Sequence, residues 1–278
     1  MRSFKNWLEA EVVFRKDLTK DLAIMRFSPQ FPTLFIAGQY CTIGLWGDEF
    51  VGEKQEAVSK FIPRPYSIVS APHEELLELF LELVPPKFQT NGSLTPRLWR
   101  LKTGDKVLLS PKIIGKFILD SAAEKHVMVS TVTGVAPFVS MARARIAGRK
   151  IPFSGPLYIF QGASRADEFG YFEELKNAEA AGYVVYVPTV SRPYGSGKPG
   201  SGRNRNWKGK TGRVNEILDE EFKRLGITPE ASTQIYICGN EGMIDDLARG
   251  RGHRKLKDGE TPGRLFDAGF KIMEEVFF

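Results

Sequence analysis

The sequence predicts a two-domain protein in which a β domain is followed by an α/β domain. Its 278 residues are enough for two domains of ordinary size. Residues 1–122 contain short β-like runs separated by turn residues, a pattern typical of a small barrel or sandwich. Residues 123–278 alternate apolar strands with helix-length segments, which indicates βαβ units around a buried parallel sheet.

The first domain is defined by strand-like runs and one short helical segment. The runs cover residues 11–14, 22–27, 40–45 and 79–84, and the helical segment covers residues 96–101. Thr95 precedes Pro96, and a hydroxyl residue before a proline-started helix predicts an N-cap. A Gly104-Asp105 turn then leads into a further strand.

The second domain repeats a strand followed by a helix. Strands are predicted at residues 126–130, 157–160, 183–187 and 234–238, and helices at residues 136–146, 172–181, 214–225 and 243–248. Because a helix follows each strand, the strands are expected to run parallel. Residues 191–210 are rich in glycine, proline and basic residues, which predicts a long loop.

The composition limits the location and the partners of the protein. No apolar run approaches the ~18–20 residues of a membrane span, so we expect none. The N-terminal residues have no apolar secretory segment, and we therefore expect a cytoplasmic protein. The formal net charge of +6 favours an acidic protein, an anionic membrane or nucleic acid. No RNA-binding or helix-turn-helix signature occurs, so we expect no nucleic-acid partner.

The cysteines and histidines do not form a metal site. The two cysteines, Cys41 and Cys238, are too few for an iron–sulfur cluster, which takes about four thiolates. The three histidines form no metal-binding signature. Redox chemistry in this chain therefore requires a bound organic cofactor.

Residues 64–67 combine three groups that suit a large anionic cofactor. Arg64 offers a planar fork for a phosphate, and Tyr66 offers a flat face for a ring system such as a flavin. The Ser67 hydroxyl can donate to or accept from a ring nitrogen. The alternative is an edge strand with a surface arginine and a half-buried tyrosine.

Three segments of the second domain suit a second anionic cofactor. Small residues at 131–137 follow a strand and open a helix, so that a pyrophosphate can approach backbone N–H groups. Ser191, Arg192 and Arg213 can surround a phosphate dianion, although a solvated basic loop would look the same. Cys238 and Gly239 end a strand, where the alternative is an ordinary buried thiol.

In this order, the segments resemble the motifs of the bacterial ferredoxin/flavodoxin–NADP reductases. Residues 64–67 match the flavin-binding R-x-Y-S signature, and residues 92–98 match G-x-L-S/T-P-R-L. Residues 131–137 match G-T-G-x-A-P, except that Val132 stands at the first glycine. Residues 238–243 match C-G-N-P-x-M, except that Glu241 stands at the proline. The resemblance covers nearly the whole chain.

The resemblance implies an antiparallel FAD-binding β-barrel in residues 1–122 and a doubly wound, parallel-sheet NADP(H)-binding domain in residues 123–278, with the flavin between them. The implied FAD-binding residues are Arg64, Pro65, Tyr66, Ser67, Leu83, Val84, Gly92, Ser93, Leu94 and Thr95. The implied NADP(H)-binding residues are Thr133, Gly134, Ala136, Pro137, Arg165, Ser191, Arg192, Arg213, Gly239 and Met243. Two further cofactor-binding residues are implied at the C-terminus, Phe277 against the flavin and Phe278 against an adenine. Phe278 has the alternative of packing into a core.

The resemblance also assigns residues to the reacting centre. Tyr66 is expected to pack on the isoalloxazine ring, with Ser67 near its N5 atom and Cys238 beside the nicotinamide. Glu275 is expected to place a carboxylate near the flavin. Phe277 is expected to cover the flavin face where the nicotinamide binds.

The implied activity is electron exchange between NADP(H) and an acidic ferredoxin or flavodoxin, catalysed by a monomer. A flavin suits this role because it exchanges electrons singly or as hydride. One alternative is an NAD(P)H-dependent flavin reductase or the reductase component of an oxygenase system. Others are a basic binding module for nucleic acid or membrane, and a family member that binds nucleotide without turnover, which Val132 alone indicates.

Overall fold

The chain divides into two compact units, Met1–Lys116 and Phe117–Phe278. The computed structural model describes residues 6–51, 56–85, 87, 89–90, 93–148, 155–192, 207–249 and 264–275. The sequence pattern places the boundary later, after residue 122. Residues 117–122 belong to the second unit because Phe117 stacks on Phe138, with 5.7 Å between ring centroids, and the Asp120 N–H donates to the Tyr236 hydroxyl at 2.8 Å.

The first unit is built on a curled antiparallel sheet. Its strands are β1 (Leu8–Asp17), β2 (Leu22–Pro29), β3 (Tyr40–Val51), β4 (Glu56–Ser67), β5 (Leu77–Glu82) and β6 (Lys106–Leu109), in the order β4-β3-β6-β1-β2-β5. The chain just beyond β4 returns to the opposite edge strand, where the Val69 N–H donates to the Glu78 carbonyl oxygen at 2.8 Å. This contact between the two edges confirms the predicted antiparallel barrel.

A single apolar core fills the first unit. Alternate residues of the strands point inward, as the pleat requires, and Met25, Ile43 and Leu79 are each at most 1% exposed. The short helix α1 (Thr95–Leu98) closes this core with Leu94 and Leu98. The core therefore holds both β4 and α1, the elements that carry the two predicted FAD segments.

Thr95 is not the N-cap of α1, so that prediction is wrong. Leu94 precedes the helix and already has a helical backbone, with φ −84° and ψ −38°. The Thr95 hydroxyl instead accepts a hydrogen bond from the N–H of Val84 at 3.1 Å. Thr95 therefore fastens the chain beyond β5 to the start of the helix.

The second unit is built on a parallel sheet with helices. Its strands are β7 (Lys125–Thr131), β8 (Leu157–Ala163), β9 (Val184–Val190), β10 (Lys210–Thr211), β11 (Thr233–Cys238) and β12 (Lys271–Glu275), in the order β10-β9-β8-β7-β11-β12. Its helices are α2 (Ala136–Ile146), α3 (Phe172–Ala180), α4 (Val214–Leu225), α5 (Glu241–Ile244) and α6 (Arg264–Asp267). The predicted strands are confirmed, and β10 and β12 are additional. The predicted helices are also found, but the one predicted at residues 243–248 consists of α5 and a π-helical turn, Asp245–Arg249.

Helices cover both faces of this sheet. Leu218 and Phe222 of α4 pack into one core with Val127 and Ile235, while Phe172 of α3 contacts Tyr186 on the other face with 6.0 Å between ring centroids. The chain passes from β7 to β8 on one side and reaches β11 on the other. In such a doubly wound sheet, the crevice at the carboxyl ends of the two strands that flank the reversal, here β7 and β11, is the preferred ligand site.

No helix among the described residues is long and apolar enough to cross a membrane.

His126 is a buried, uncharged histidine within the second unit. It is 0% exposed, and its Nδ1 atom lies 3.1 Å from the Tyr236 hydroxyl. Burial lowers the pKa of His126 to about 4, although the negative charge of Asp120 acts in the opposite direction. Since an unfolded histidine titrates near pH 6.5, the unfolded chain binds one proton that the folded chain does not between these values.

We predict that this histidine makes the second unit less stable as the pH falls from 6.5 towards 4. The loss attributable to His126 is roughly 3 kcal/mol at most, because one pKa unit corresponds to about 1.4 kcal/mol. His126→Gln should reduce the difference between urea unfolding at pH 7 and at pH 4.5. His73→Gln, at an exposed histidine, is the control and should leave that difference unchanged. An identical pH dependence in wild type and His126→Gln would contradict the prediction.

Candidate functional site

The predicted flavin segment is the end of β4, paired with the start of β3. Arg64 and Tyr66 share one face of the strand because side chains alternate along it. Tyr66 is half-buried against the barrel core, and an Arg64 guanidinium N–H donates to the Pro63 carbonyl oxygen at 2.7 Å. Burial raises the pKa of Tyr66, and the nearby Arg64 charge lowers it by less, so the phenol keeps its proton. Ser67 lies opposite Tyr40 in the register.

The two other predicted FAD segments lie next to each other. Leu83 and Val84 follow β5, and the Val84–Thr95 hydrogen bond brings them to the start of α1. Leu94 is buried in the core, while the Ser93 hydroxyl accepts a hydrogen bond from the Thr90 N–H at 2.9 Å. Gly92 lies outside the described residues. The structure therefore joins segments that are separated by about a dozen positions in the sequence.

The crevice between β7 and β11 depends on two glycines. A Cβ atom at Gly134 would overlap the carbonyl group of Cys238, and a Cβ atom at Gly239 would overlap Thr131. Gly239 also has φ 139°, a conformation that side chains disfavour. The Thr131 hydroxyl accepts a hydrogen bond from the N–H of Asn240 at 2.6 Å, which fixes the two strand ends together.

Val132 stands in a strained conformation beside this crevice. Its φ is 41°, in the left-handed region that a β-branched residue rarely enters. Such a backbone costs about 1–2 kcal/mol. The side chain packs against Ala163, Phe169 and Val190, a contact that partly offsets the cost. The following residues, Thr133 to Pro137, form the turn and the first residues of α2, with Ala136 and Pro137 buried.

The predicted phosphate-binding residues meet at the ends of β9 and β10. The backbone N–H of Arg192 donates to the Ser164 carbonyl oxygen at 3.2 Å. The Ser191 hydroxyl donates to the Ala163 carbonyl oxygen at 3.3 Å. Arg213 follows β10, which pairs with the end of β9. Arg192 and Arg213 are both exposed, so two guanidinium groups stand at neighbouring strand ends.

Acidic side chains neutralise the charge of Arg165. Its guanidinium lies 2.8 Å from a carboxylate oxygen of Glu168 and 3.3 Å from one of Asp167. Glu168 also accepts the backbone N–H groups of Ser164 and Arg165, at 2.8 and 3.1 Å. The positive charge of Arg165 is therefore largely balanced by the carboxylates of its own turn.

Cys238 and Glu275 are brought together on adjacent strands. They are paired in the parallel register of β11 and β12. Burial raises the pKa of the Cys238 thiol well above its usual value, and the negative charge of Glu275 raises it further. The thiol is therefore neutral. Phe277 and Phe278 lie outside the described residues. Met243 is 5% exposed and packs in the core below the crevice.

Comparison with known proteins places the chain in a family. Residues 128–249 match the model of the oxidoreductase NAD-binding domain. A ferredoxin–NADP reductase of Pseudomonas aeruginosa is 38% identical over 259 residues, which cover 87% of each chain. The chain belongs to the ferredoxin/flavodoxin–NADP reductase family. A ferredoxin–NADP reductase of Azotobacter vinelandii is 30% identical over 261 residues, again with 87% of each chain covered.

The fold of the family is also found among solved structures. A ferredoxin NADP⁺ reductase from Neisseria gonorrhoeae, with bound FAD and NADP, matches with a TM-score of 0.68. The two are 23% identical, and the match covers 97% of this chain and 98% of that one. The predicted fold of a β-barrel followed by a doubly wound domain is thus confirmed.

Three residues of this family member were not identified from its sequence motifs. Thr131 and Asn240 hold the crevice together, and Gln161 donates to the Val132 carbonyl oxygen at 3.2 Å. Asn240 could have been found as an N-cap, since its side chain accepts the Gly242 N–H at 3.0 Å. Gln161 directly follows the strand predicted at residues 157–160 and lies within the observed strand β8, where a buried polar group needs a partner.

The strain at Val132 predicts an unusual order of stability among its variants. Val132→Ala and Val132→Gly both remove the side-chain methyl groups, but only glycine relieves the left-handed backbone. Val132→Gly should therefore be the more stable of the two by about 1 kcal/mol in urea unfolding. Val135 provides the control because its φ of −71° is helical, so there the glycine variant should be the less stable. The same order at both positions would contradict strain at Val132.

Proposed function

We propose that the protein is an FAD-dependent oxidoreductase that exchanges electrons between NADP(H) and a one-electron carrier, a ferredoxin or a flavodoxin. The observation that carries this proposal is the crevice between β7 and β11, where Cys238 and Thr131 leave no room for a Cβ atom at Gly134 or Gly239. Family membership supports it independently.

The second unit offers a suitable NADP(H) site. A pyrophosphate is proposed to bind the backbone of Thr133 and Gly134 at the turn before α2, with Ala136 and Pro137 forming its buried support. The nicotinamide is proposed to lie by Gly239, with Met243 beneath it. Backbone N–H groups stabilise the anion because their positions are already fixed by the sheet and the helix.

The choice of NADP(H) over NAD(H) is proposed to depend on Ser191, Arg192 and Arg213. Two exposed guanidinium groups at adjacent strand ends suit a 2′-phosphate dianion, which accepts charge-assisted hydrogen bonds. Arg165 is proposed to bind the nucleotide more weakly, because Asp167 and Glu168 already balance its charge.

The first unit offers groups that fit FAD. Arg64 and Tyr66 present a cation and an aromatic ring on one face of β4, with Pro65 and Ser67 continuing the strand. Leu83, Val84 and residues 92–95 are proposed to bind the rest of the cofactor. When bound, FAD supplies a group that exchanges hydride with a nicotinamide and single electrons with a carrier.

The proposed residues of the reacting centre each have a defined chemical state. Tyr66 offers a protonated phenol and a ring, so it orients a planar group without adding charge. Cys238 offers a neutral, buried thiol that contacts a ring and does not act as a nucleophile. Glu275 places a carboxylate at the end of β12, next to Cys238. Phe277 remains proposed as the aromatic cover of the flavin face.

The carrier is proposed to be acidic, because the chain has a formal net charge of +6. Opposite charge raises the rate of association of an electron carrier with its reductase. The protein is proposed to act as a monomer in the cytoplasm. Its two cysteines are free, as expected of proteins in a reducing compartment.

An anaerobic absorbance experiment tests the proposed function. The purified protein, supplied with FAD if necessary, should show flavin bands that NADPH bleaches faster than NADH does. Adding oxidised ferredoxin or flavodoxin should then restore the bands. A protein that shows no flavin bands after FAD is added and unbound FAD is removed would exclude the flavoprotein function. Transfer to free flavin but to neither carrier protein would establish a flavin reductase instead.

The coenzyme preference is tested by Arg192→Ala combined with Arg213→Ala. Each charge-assisted hydrogen bond contributes about 1.5–3 kcal/mol, so loss of two should raise the KM for NADPH by at least about a hundredfold. The KM for NADH should change less than about threefold, because NADH lacks the 2′-phosphate. Lys223→Ala removes an exposed positive charge from α4 and is the control. Equal effects on both coenzymes would remove the assignment.

A further inference from the structure

A buried hydrogen-bond chain crosses two strands and ends at Val132. The Tyr186 hydroxyl in β9 donates to the Gln161 side-chain oxygen in β8 at 2.6 Å. The Gln161 side-chain nitrogen donates to the Val132 carbonyl oxygen at 3.2 Å. Gln161 is 0% exposed and Tyr186 is 3% exposed. Both residues interrupt apolar strands, where a polar side chain costs free energy unless all its hydrogen bonds are made.

The chemistry of the groups fixes which atom donates and which accepts in each of these hydrogen bonds. The Val132 carbonyl can only accept, so the Gln161 amide nitrogen faces it and the amide oxygen faces Tyr186. Burial raises the pKa of Tyr186, and the negative charge of Glu179 adds to the effect, so the phenol remains a donor. The backbone of Tyr186 is itself fixed, since its N–H donates to a Glu179 carboxylate oxygen at 2.8 Å.

The strained residue needs such a restraint. A β-branched residue at φ 41° relaxes to negative φ unless its surroundings hold it. The Thr131–Asn240 hydrogen bond restrains the residue before Val132, and Gln161 restrains the carbonyl group of Val132 itself. Rotation of this peptide unit would redirect the N–H of Thr133, the first group of the proposed pyrophosphate site.

We propose that Gln161 and Tyr186 are positioning residues that hold Val132 in its left-handed conformation, so that the turn of Thr133 and Gly134 is preformed for the coenzyme pyrophosphate. This inference rests on the proposed NADP(H) site. A glycine at position 132 would adopt the same conformation without strain. The hydrogen bonds of Gln161 and Tyr186 are therefore needed because this protein has valine at position 132.

The test removes one hydroxyl and asks whether the effect depends on Val132. Tyr186→Phe should weaken NADP⁺ binding about tenfold in calorimetric titration, which corresponds to about 1.4 kcal/mol. Binding of 2′-AMP, which has no pyrophosphate, should be unchanged. In a Val132→Gly background, Tyr186→Phe should weaken NADP⁺ binding less than about twofold, because no strain remains to be restrained. Tyr158→Phe, the control, removes a hydroxyl of β8 that does not belong to these hydrogen bonds, and it should leave NADP⁺ binding unchanged.

Other variants and a second readout keep the test decisive. If Tyr186→Phe folds poorly, Gln161→Met combined with Tyr186→Phe removes the chain without leaving either side chain half-paired. Hydrogen exchange of the amides of residues 131–136 should accelerate in these variants and not in their Val132→Gly counterparts. Equal losses of NADP⁺ and 2′-AMP binding, or the same loss in both backgrounds, would overturn the inference. If the wild type binds no NADP⁺, the proposed function fails, while hydrogen exchange still decides whether the restraint exists.

Discussion

The close approach of β7 and β11 at their carboxyl ends is the constraint on which the site of the second unit depends. Main chain meets main chain there, since Gly134 lies against the Cys238 carbonyl group and Gly239 lies against Thr131. The walls of the crevice are therefore peptide groups, whose positions are fixed by the hydrogen bonds of the sheet. A site of this kind is rigid without help from side-chain rotamers, and its N–H groups face an anion at no further cost in ordering.

Charge is separated across the same sheet. Towards β9 and β10, Arg192 and Arg213 are exposed at the strand ends, and Arg165 is neutralised by its acidic neighbours. On the other side, Glu275 lies beside Cys238 at the ends of β11 and β12. The exposed guanidinium groups and the carboxylate thus lie on opposite sides of the crevice, an arrangement that would give an extended, polar ligand one preferred direction.

The sequence predicts most of the fold because the pattern of apolar residues determines it. The helices at 136–146 and 214–225 were predicted with the bounds that the structure has, since each follows an apolar strand and has a clear end. The strands β10 and β12 were not predicted, because a two-residue strand and a half-exposed edge strand exist only through their neighbours. The sequence also predicted that most of the site motifs lie at the ends of strands. The conformation of Val132 and its link to Gln161 were not, because they depend on contacts between strands.

The neutral thiol of Cys238 has a consequence for the durability of the protein. Reduced flavins react with oxygen to give hydrogen peroxide, and peroxide oxidises thiolates far faster than thiols. A cysteine with an ordinary pKa would be a thiolate for a larger fraction of the time at this position, so it would be oxidised faster to sulfenic and sulfinic acids. Burial and the carboxylate of Glu275 keep Cys238 protonated. The same arrangement that makes this cysteine a poor nucleophile therefore lowers the rate at which peroxide should oxidise it.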